Sequence, residues 1–199
     1  MSKNELTNKF FITGLPRSRT AWLSSFFTGN DFFCYHEVLK ISKNFNGAIE
    51  KMLNRKETYV GNSDSSLSIW ASEIDHMLQR SPIVIIERDI DEVTSSLTNL
   101  WGCDPTRFLD LTLEHLEILK KRYNYISVDY NKLSDKLYLE NIWDFCIPNI
   151  DFDKDKFEML KTINISIDKD SYIKDLIDKD GNIKKGLKNL TQYINKNTN

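Results

Sequence analysis

The chain carries almost no surplus of charge of either sign: 27 basic side chains stand against 29 acidic ones in 199 residues. A formal charge of −2 excludes a general nucleic-acid binder, which needs a strong basic excess to displace counterions. No apolar run approaches the ~18 residues of a membrane span, and the polar opening Met1–Asn8 lacks the apolar centre of a secretory signal. Cysteine is scarce. Cys34, Cys103 and Cys146 are odd in number, widely spaced and free of any C-x-x-C pair, so they read as reduced thiols of a cytoplasmic protein. No disulfide is needed at this length, because such a chain buries ~70% of its unfolded surface on folding. No metal-ligand spacing occurs among Cys, His, Asp and Glu, so no metal is expected. The last shortage is arginine, with 7 against 20 lysines. Its positions are informative, because a guanidinium offers phosphate or sulfate a planar, bidentate fork that lysine lacks.

What is present is an alternation of strands and helices. Lys9–Gly14 is a short apolar run stopping at glycine, and Trp22, Leu23, Phe26 and Phe27 follow at helical spacing. Phe32–Tyr35 is a second run, ending at His36-Glu37, and a helical face runs from Ile41 to Leu53. Thr58–Gly61 reads as a third strand and Leu67–Leu78 as the helix after it. Pro82–Glu87, with Ile83, Val84, Ile85 and Ile86 in a row, is the clearest strand. Helical spacing resumes at 93–101 and 108–119; Tyr125–Asp129 is the fifth strand, and a helix closes the pattern over 133–146. Strands alternating with helices predict an α/β fold, a central parallel sheet of about five strands covered on both faces. Residues 1–150 form this domain. The stretch 151–183, dense in Asp and Lys with a turn at Asp180-Gly181, reads as a peripheral helical appendage, and 184–199, with four lysines and no acid, as a flexible basic tail.

The segment Gly14-Leu15-Pro16-Arg17-Ser18-Arg19-Thr20-Ala21-Trp22 joins the first strand to its helix. Ligands of parallel α/β sheets sit at the carboxyl ends of strands, and a strand-to-helix turn presents free N–H groups to an anion. Two arginines and two hydroxyls within four residues add charge-assisted donors. The pattern G-x-x-x-x-G-K-[ST] of nucleotide triphosphate loops is absent, with Arg19 where the second glycine falls. A charged surface turn is the plain alternative.

This loop resembles the 5′-phosphosulfate loop of the sulfotransferases, roughly G-x-P-[RK]-S-G-T-T-x-L. Those enzymes use the donor PAPS (3′-phosphoadenosine 5′-phosphosulfate) on a P-loop-like α/β fold. Pro16, Arg17, Ser18, Thr20 and Leu23 match the pattern; Arg19 replaces the usual glycine and Ala21 the usual second hydroxyl. A second element agrees. The family holds the donor's 3′-phosphate with an arginine ending a later strand and a serine eight residues on, here Arg88 and Ser96. An ion pair of Arg88 with Asp91 or Glu92 is the structural alternative. The resemblance spans residues from about 9 to 150. It implies PAPS as donor, held by Pro16, Arg17, Ser18, Arg19, Thr20, Ala21, Trp22, Arg88 and Ser96, with Arg17 meeting charge on the leaving phosphate and Trp22 stacking or packing. It implies no metal, because the transferred group carries less charge than a phosphoryl group.

The acceptor, a hydroxyl or amine on a small molecule or carbohydrate, needs a general base within hydrogen-bond reach. Glu37 is the first choice: it ends the second strand on the ligand side, and Cys34-Tyr35-His36-Glu37-Val38 resembles the Cys-Gly-Glu-Glu-Thr segment of tyrosylprotein sulfotransferases. His36 is its neighbour and alternative, suited by its ordinary pKa. Asp64, in Asn62-Ser63-Asp64-Ser65 after the third strand, is the third candidate, against a plain turn-and-cap role. His76 and His115, inside helices, read as structural or exposed. Two other functions fit the same loop: a small-molecule kinase with a degenerate P-loop, and a nucleotide-binding module without catalysis. Neither nucleic acid nor membrane is an expected partner, and the sequence leaves the oligomeric state open.

Overall fold

The structure, a computed structural model, describes residues 8–163 and 169–197; the expectations for 1–7, for 164–168 within the appendage and for 198–199 lie outside them. Five strands form one wholly parallel sheet: β1 Lys9–Gly14, β2 Phe32–His36, β3 Tyr59–Ser63, β4 Ile83–Glu87 and β5 Tyr125–Asp129, in the spatial order β2-β3-β1-β4-β5. β1 lies at the centre, and every one of its residues is buried. Its run of apolar side chains on successive positions suits a strand covered on both faces. Because β3 and β4 flank β1 on either side, the order of the chain reverses there. The loops leaving β1, β3 and β4 therefore open onto one crevice at the carboxyl end of the sheet.

Helices cover both faces. α1 Thr20–Phe26, α7 Lys136–Cys146 and α8 Lys154–Lys161 pack on one, where Phe10, Ile12, Trp22, Phe26, Phe27, Trp143, Phe157 and Leu160 share a core. On the other lie α2 Phe45–Leu53, the short α3 Leu67–Trp70 and α4 Asp75–Leu78, α5 Ile90–Trp101, α6 Thr106–Arg122 and α10 Lys185–Asn197. The single helix expected over 67–78 is instead α3 and α4 joined by a 3₁₀ turn at Ala71–Ile74. The tighter turn re-phases the apolar face, and Leu67, Trp70, Ile74, Met77 and Leu78 all reach the core through the break.

The C-terminal part differs from the sequence expectation. The stretch read as a flexible tail is helical over Lys185–Asn197, and its Leu190 is buried in the core beside α2 and α3. Leu187, Leu190, Tyr193 and Ile194 recur at helical spacing among the lysines, a stripe that composition alone conceals. α9 Lys169–Leu176 and α10 are linked by a turn at Asp180-Gly181, where Ile177 and Ile183 pair. The largest aromatic assembly centres on Trp143, fully buried, with ring centroids of Phe26, Phe27, Phe32 and Phe152 5.0–5.6 Å away. Its indole N–H donates to the Ile150 carbonyl at 2.6 Å. Trp143→Ala is expected to destabilise the fold by about 3–5 kcal/mol, read from the urea midpoint of unfolding.

Candidate functional site

The loop between β1 and α1 begins at a forced glycine. Gly14 has φ +157°, and a Cβ there would lie 2.5 Å from the Ile86 carbonyl oxygen. Beyond it the chain turns sharply: Arg17 (φ 67°) and Arg19 (φ 60°) both adopt the left-handed conformation. Glu37 (φ 53°), at the end of β2, is the remaining non-glycine residue of this kind among the described residues. Each such residue is strained by of order 1–3 kcal/mol, and such strain gathers at ligand sites. Arg19 stands where the family pattern has glycine, and it takes the conformation that glycine takes freely.

Between the two strained arginines lies Ser18, wholly buried, whose hydroxyl has no partner. The side-chain polar atoms of Thr13, Asn62, Ser63, Asp64 and Ser68 include buried ones that are likewise unpartnered among the described residues. Thr13, Ser18, Asn62, Ser63 and Asp64 lie at or just past the carboxyl ends of β1 and β3, whereas Ser68, like Trp70 with its unpartnered indole nitrogen, belongs to α3. Orphaned buried polar atoms are costly and rare in folded proteins, so their concentration here marks a place built for water or a polar ligand.

The donor residues predicted from two distant segments meet. Arg17 Nε donates to Ser96 Oγ on α5 at 3.1 Å, and the Arg88 guanidinium donates to the Arg17 carbonyl. Arg88 also pairs with Glu92 at 3.2 Å, the structural role weighed for it, in addition to its loop contact. Two residues not anticipated from the sequence join the cluster. The Tyr130 ring, just past β5, carries Arg88 at 4.1 Å and Arg19 at 5.2 Å from its centroid. Ser134 accepts from Arg19 Nη1 at 2.8 Å. Their signal was their place after a fifth strand on the ligand side, not their residue type. Among the described residues, no carboxylate pairs with Arg17 or Arg19.

One proposed side chain points away. Trp22 is 4% exposed, stacks on Phe26 at 5.5 Å and donates its indole N–H to the Leu160 carbonyl at 2.8 Å. Its side chain is a core group, because α1 turns that face onto the sheet. Pro16 and Ala21 are half-buried at the loop's ends, and Ser24 and Ser25 turn their hydroxyls back onto the Ala21 carbonyl.

The three candidate bases converge beside the loop. His36 Nε2 lies 3.5 Å from Thr20 Oγ1 and 3.7 Å from Glu37 Oε1. Glu37 Oε2 accepts from Lys40 at 2.9 Å, and Lys40 also pairs with Asp175 of α9. Burial lowers the pKa of His36, against the opposing pull of Glu37. Asp64 is 1% exposed. Its Oδ1 accepts from the Ser66 amide and hydroxyl, both at 2.7 Å, the turn role expected of it, while Oδ2 has no partner. Burial first, and then the charge of Glu37, pushes its pKa up from 3.8 to about 6.

No protein-family model matches the sequence, and no curated protein matches it by sequence. Among solved structures, the fold is similar to that of a mouse sulfotransferase, SULT7A1, complexed with PAP: TM-score 0.51 and 14% identity, over 98% of this chain and 82% of that one. The chain has the sulfotransferase-family fold. Among the described residues no helix is long and apolar enough to cross a membrane.

A folded pKa above the unfolded one means that the native state holds the Asp64 proton more tightly. Its contribution to stability is therefore full below about pH 4 and lost as pH rises toward 6. Asp64→Asn is expected to raise the thermal midpoint at pH 7.5, with the gain shrinking steadily as pH falls from 6 to 4. Thermal unfolding across that range checks it.

Proposed function

We propose that the chain is a PAPS-dependent sulfotransferase acting on a hydroxyl or amine acceptor, a small molecule or carbohydrate, in the cytoplasm. The observation that carries this reading is the junction of the β1 loop with β4 and α5. Arg17, Arg88 and Ser96, up to 79 residues apart, form one hydrogen-bonded group beside the orphaned hydroxyl of Ser18. Those residue types fit a nucleotide with anionic groups at both ends of its ribose. Guanidiniums supply paired donors, and the buried hydroxyl supplies a donor that nothing else uses. The PAP-bound mouse relative of the fold adds support for this ligand class. The loop lacks the Gly-Lys-Ser/Thr of Mg²⁺-dependent kinases, which sets that alternative behind.

Bound at this loop, a PAPS-type donor supplies the sulfuryl group and a phosphate that takes up negative charge as the group leaves. Arg17 stands in the loop to meet that charge. Ser18 and Thr20 hold the 5′-phosphate end; Arg88 and Ser96 hold the 3′-phosphate end. Proton removal from the acceptor falls to the His36–Glu37 pair. A buried imidazole with a lowered pKa is neutral at pH 7 and free to accept a proton. Glu37, 3.7 Å from the same nitrogen, then stabilises the imidazolium, as Lys40 fixes its other oxygen. His36 Nε2, directed at the loop hydroxyl of Thr20, thus takes the role of base, and Glu37, the first choice from sequence, the role of its partner.

Two measurements check the reading. Adenosine 3′,5′-bisphosphate without metal is expected to raise the thermal midpoint by mass action, and ATP with Mg²⁺ to leave it unchanged; the opposite pattern supports the kinase reading. In a transfer assay with labelled PAPS and a panel of acceptors, His36→Gln is expected to abolish turnover while bisphosphate affinity stays within about twofold, a change of only ~0.4 kcal/mol. Glu37→Gln removes the charge that raises the His36 pKa, so its residual activity should extend to lower pH. Loss of all turnover in Glu37→Gln with activity retained in His36→Gln would return the base role to Glu37.

A further inference from the structure

Arg19 occupies a position at which glycine would be free of strain, and its contacts return little to the fold. Its left-handed backbone (φ 60°) is one that a residue with a Cβ adopts only under strain. Against this, its side chain makes an exposed hydrogen bond to Ser134 and a cation–π contact at 5.2 Å. Its guanidinium also shares the Tyr130 ring with that of Arg88. Two like charges on one ring repel each other. Among the described residues Glu92 pairs with Arg88, and no carboxylate pairs with Arg19. The side chain leaves the loop for the β5 side, towards Arg88 and away from His36 and Glu37.

We infer that Arg19 is a specificity-determining residue: together with Arg88 it forms a two-guanidinium clamp for the 3′-phosphate of the donor, with Tyr130 and Ser134 holding Arg19 in place. A dianion between the two cations relieves their repulsion and accepts charge-assisted bonds from both. The strained backbone is then offset in the bound state rather than in the free fold. This inference rests on the donor-site reading above and adds to it the residue that sets its discrimination for 3′-phosphorylated nucleotides.

The test compares adenosine 3′,5′-bisphosphate with adenosine 5′-monophosphate by calorimetric titration of the wild type, Arg19→Gly and Arg19→Asn. Both replacements tolerate the left-handed conformation, so both are expected to fold, with thermal midpoints at or above the wild type. The expected result is a loss of about tenfold or more in bisphosphate affinity, the size of one charge-assisted bond, with monophosphate affinity within about twofold of wild type. The selectivity for the 3′-phosphate then collapses. Equal loss for both nucleotides, or undiminished selectivity in both variants, overturns the inference while leaving the donor site standing. Failure of the wild type to bind the bisphosphate at all overturns the donor-site reading, and the clamp with it.

Discussion

The site depends on one backbone constraint, the left-handed turn at Arg17–Arg19 that ends β1. A strand buried on both faces must release the chain abruptly, and Gly14 permits this only because it has no Cβ to meet Ile86. The following residues then take conformations that L-residues avoid, and they are held there from outside the loop. Arg88 grips the Arg17 carbonyl, and Ser96 receives its side chain. The loop is thus tied to β4 and α5, so that Arg17, Arg88 and Ser96 belong to one hydrogen-bonded unit. Charge alone would drive these guanidiniums apart; the carbonyl, the serine and the Tyr130 ring hold them together.

On the other flank, the same strand ends gather three titratable groups. β2 and β3 run parallel, with His36 in register with Ser63, so His36, Glu37 and Asp64 emerge side by side. Their proximity makes each a part of the other's electrostatics. Glu37 raises the pKa of both His36 and Asp64, whereas Lys40 and Asp175 tie this group to α9. Packing on both faces buries the sheet, with Trp143 and its phenylalanines at the amino end of β2.

Much of this was legible in the residues. The five apolar runs located the strands to within about a residue or two, because a strand buried on both faces leaves an uninterrupted signal. The loop and the Arg88–Ser96 spacing stood out because arginine is rare in this chain. Less legible were the 3₁₀ break at Ala71–Ile74 and the helix over 185–197. Both turn on where sparse apolar side chains find a neighbour, which a one-dimensional pattern does not specify. The side chain of Trp22 shows the same limit. Its place at the loop left ligand stacking open beside core packing, and the rotation of α1 carried it into the core.

By itself, then, the sequence determined the alternation of strands and helices and the gathering of arginines and hydroxyls in the loop after the first strand. These follow from local pattern and chemistry, which are properties of short stretches. Only the tertiary structure decided which of those residues meet. The order of the strands brought Ser96 to Arg17 and placed His36 between Thr20 and Glu37. It also turned Arg19 towards Tyr130 and Ser134, over 100 residues away in the chain. Contacts of that separation arise from the register and handedness of the whole sheet, and no local stretch of sequence encodes them.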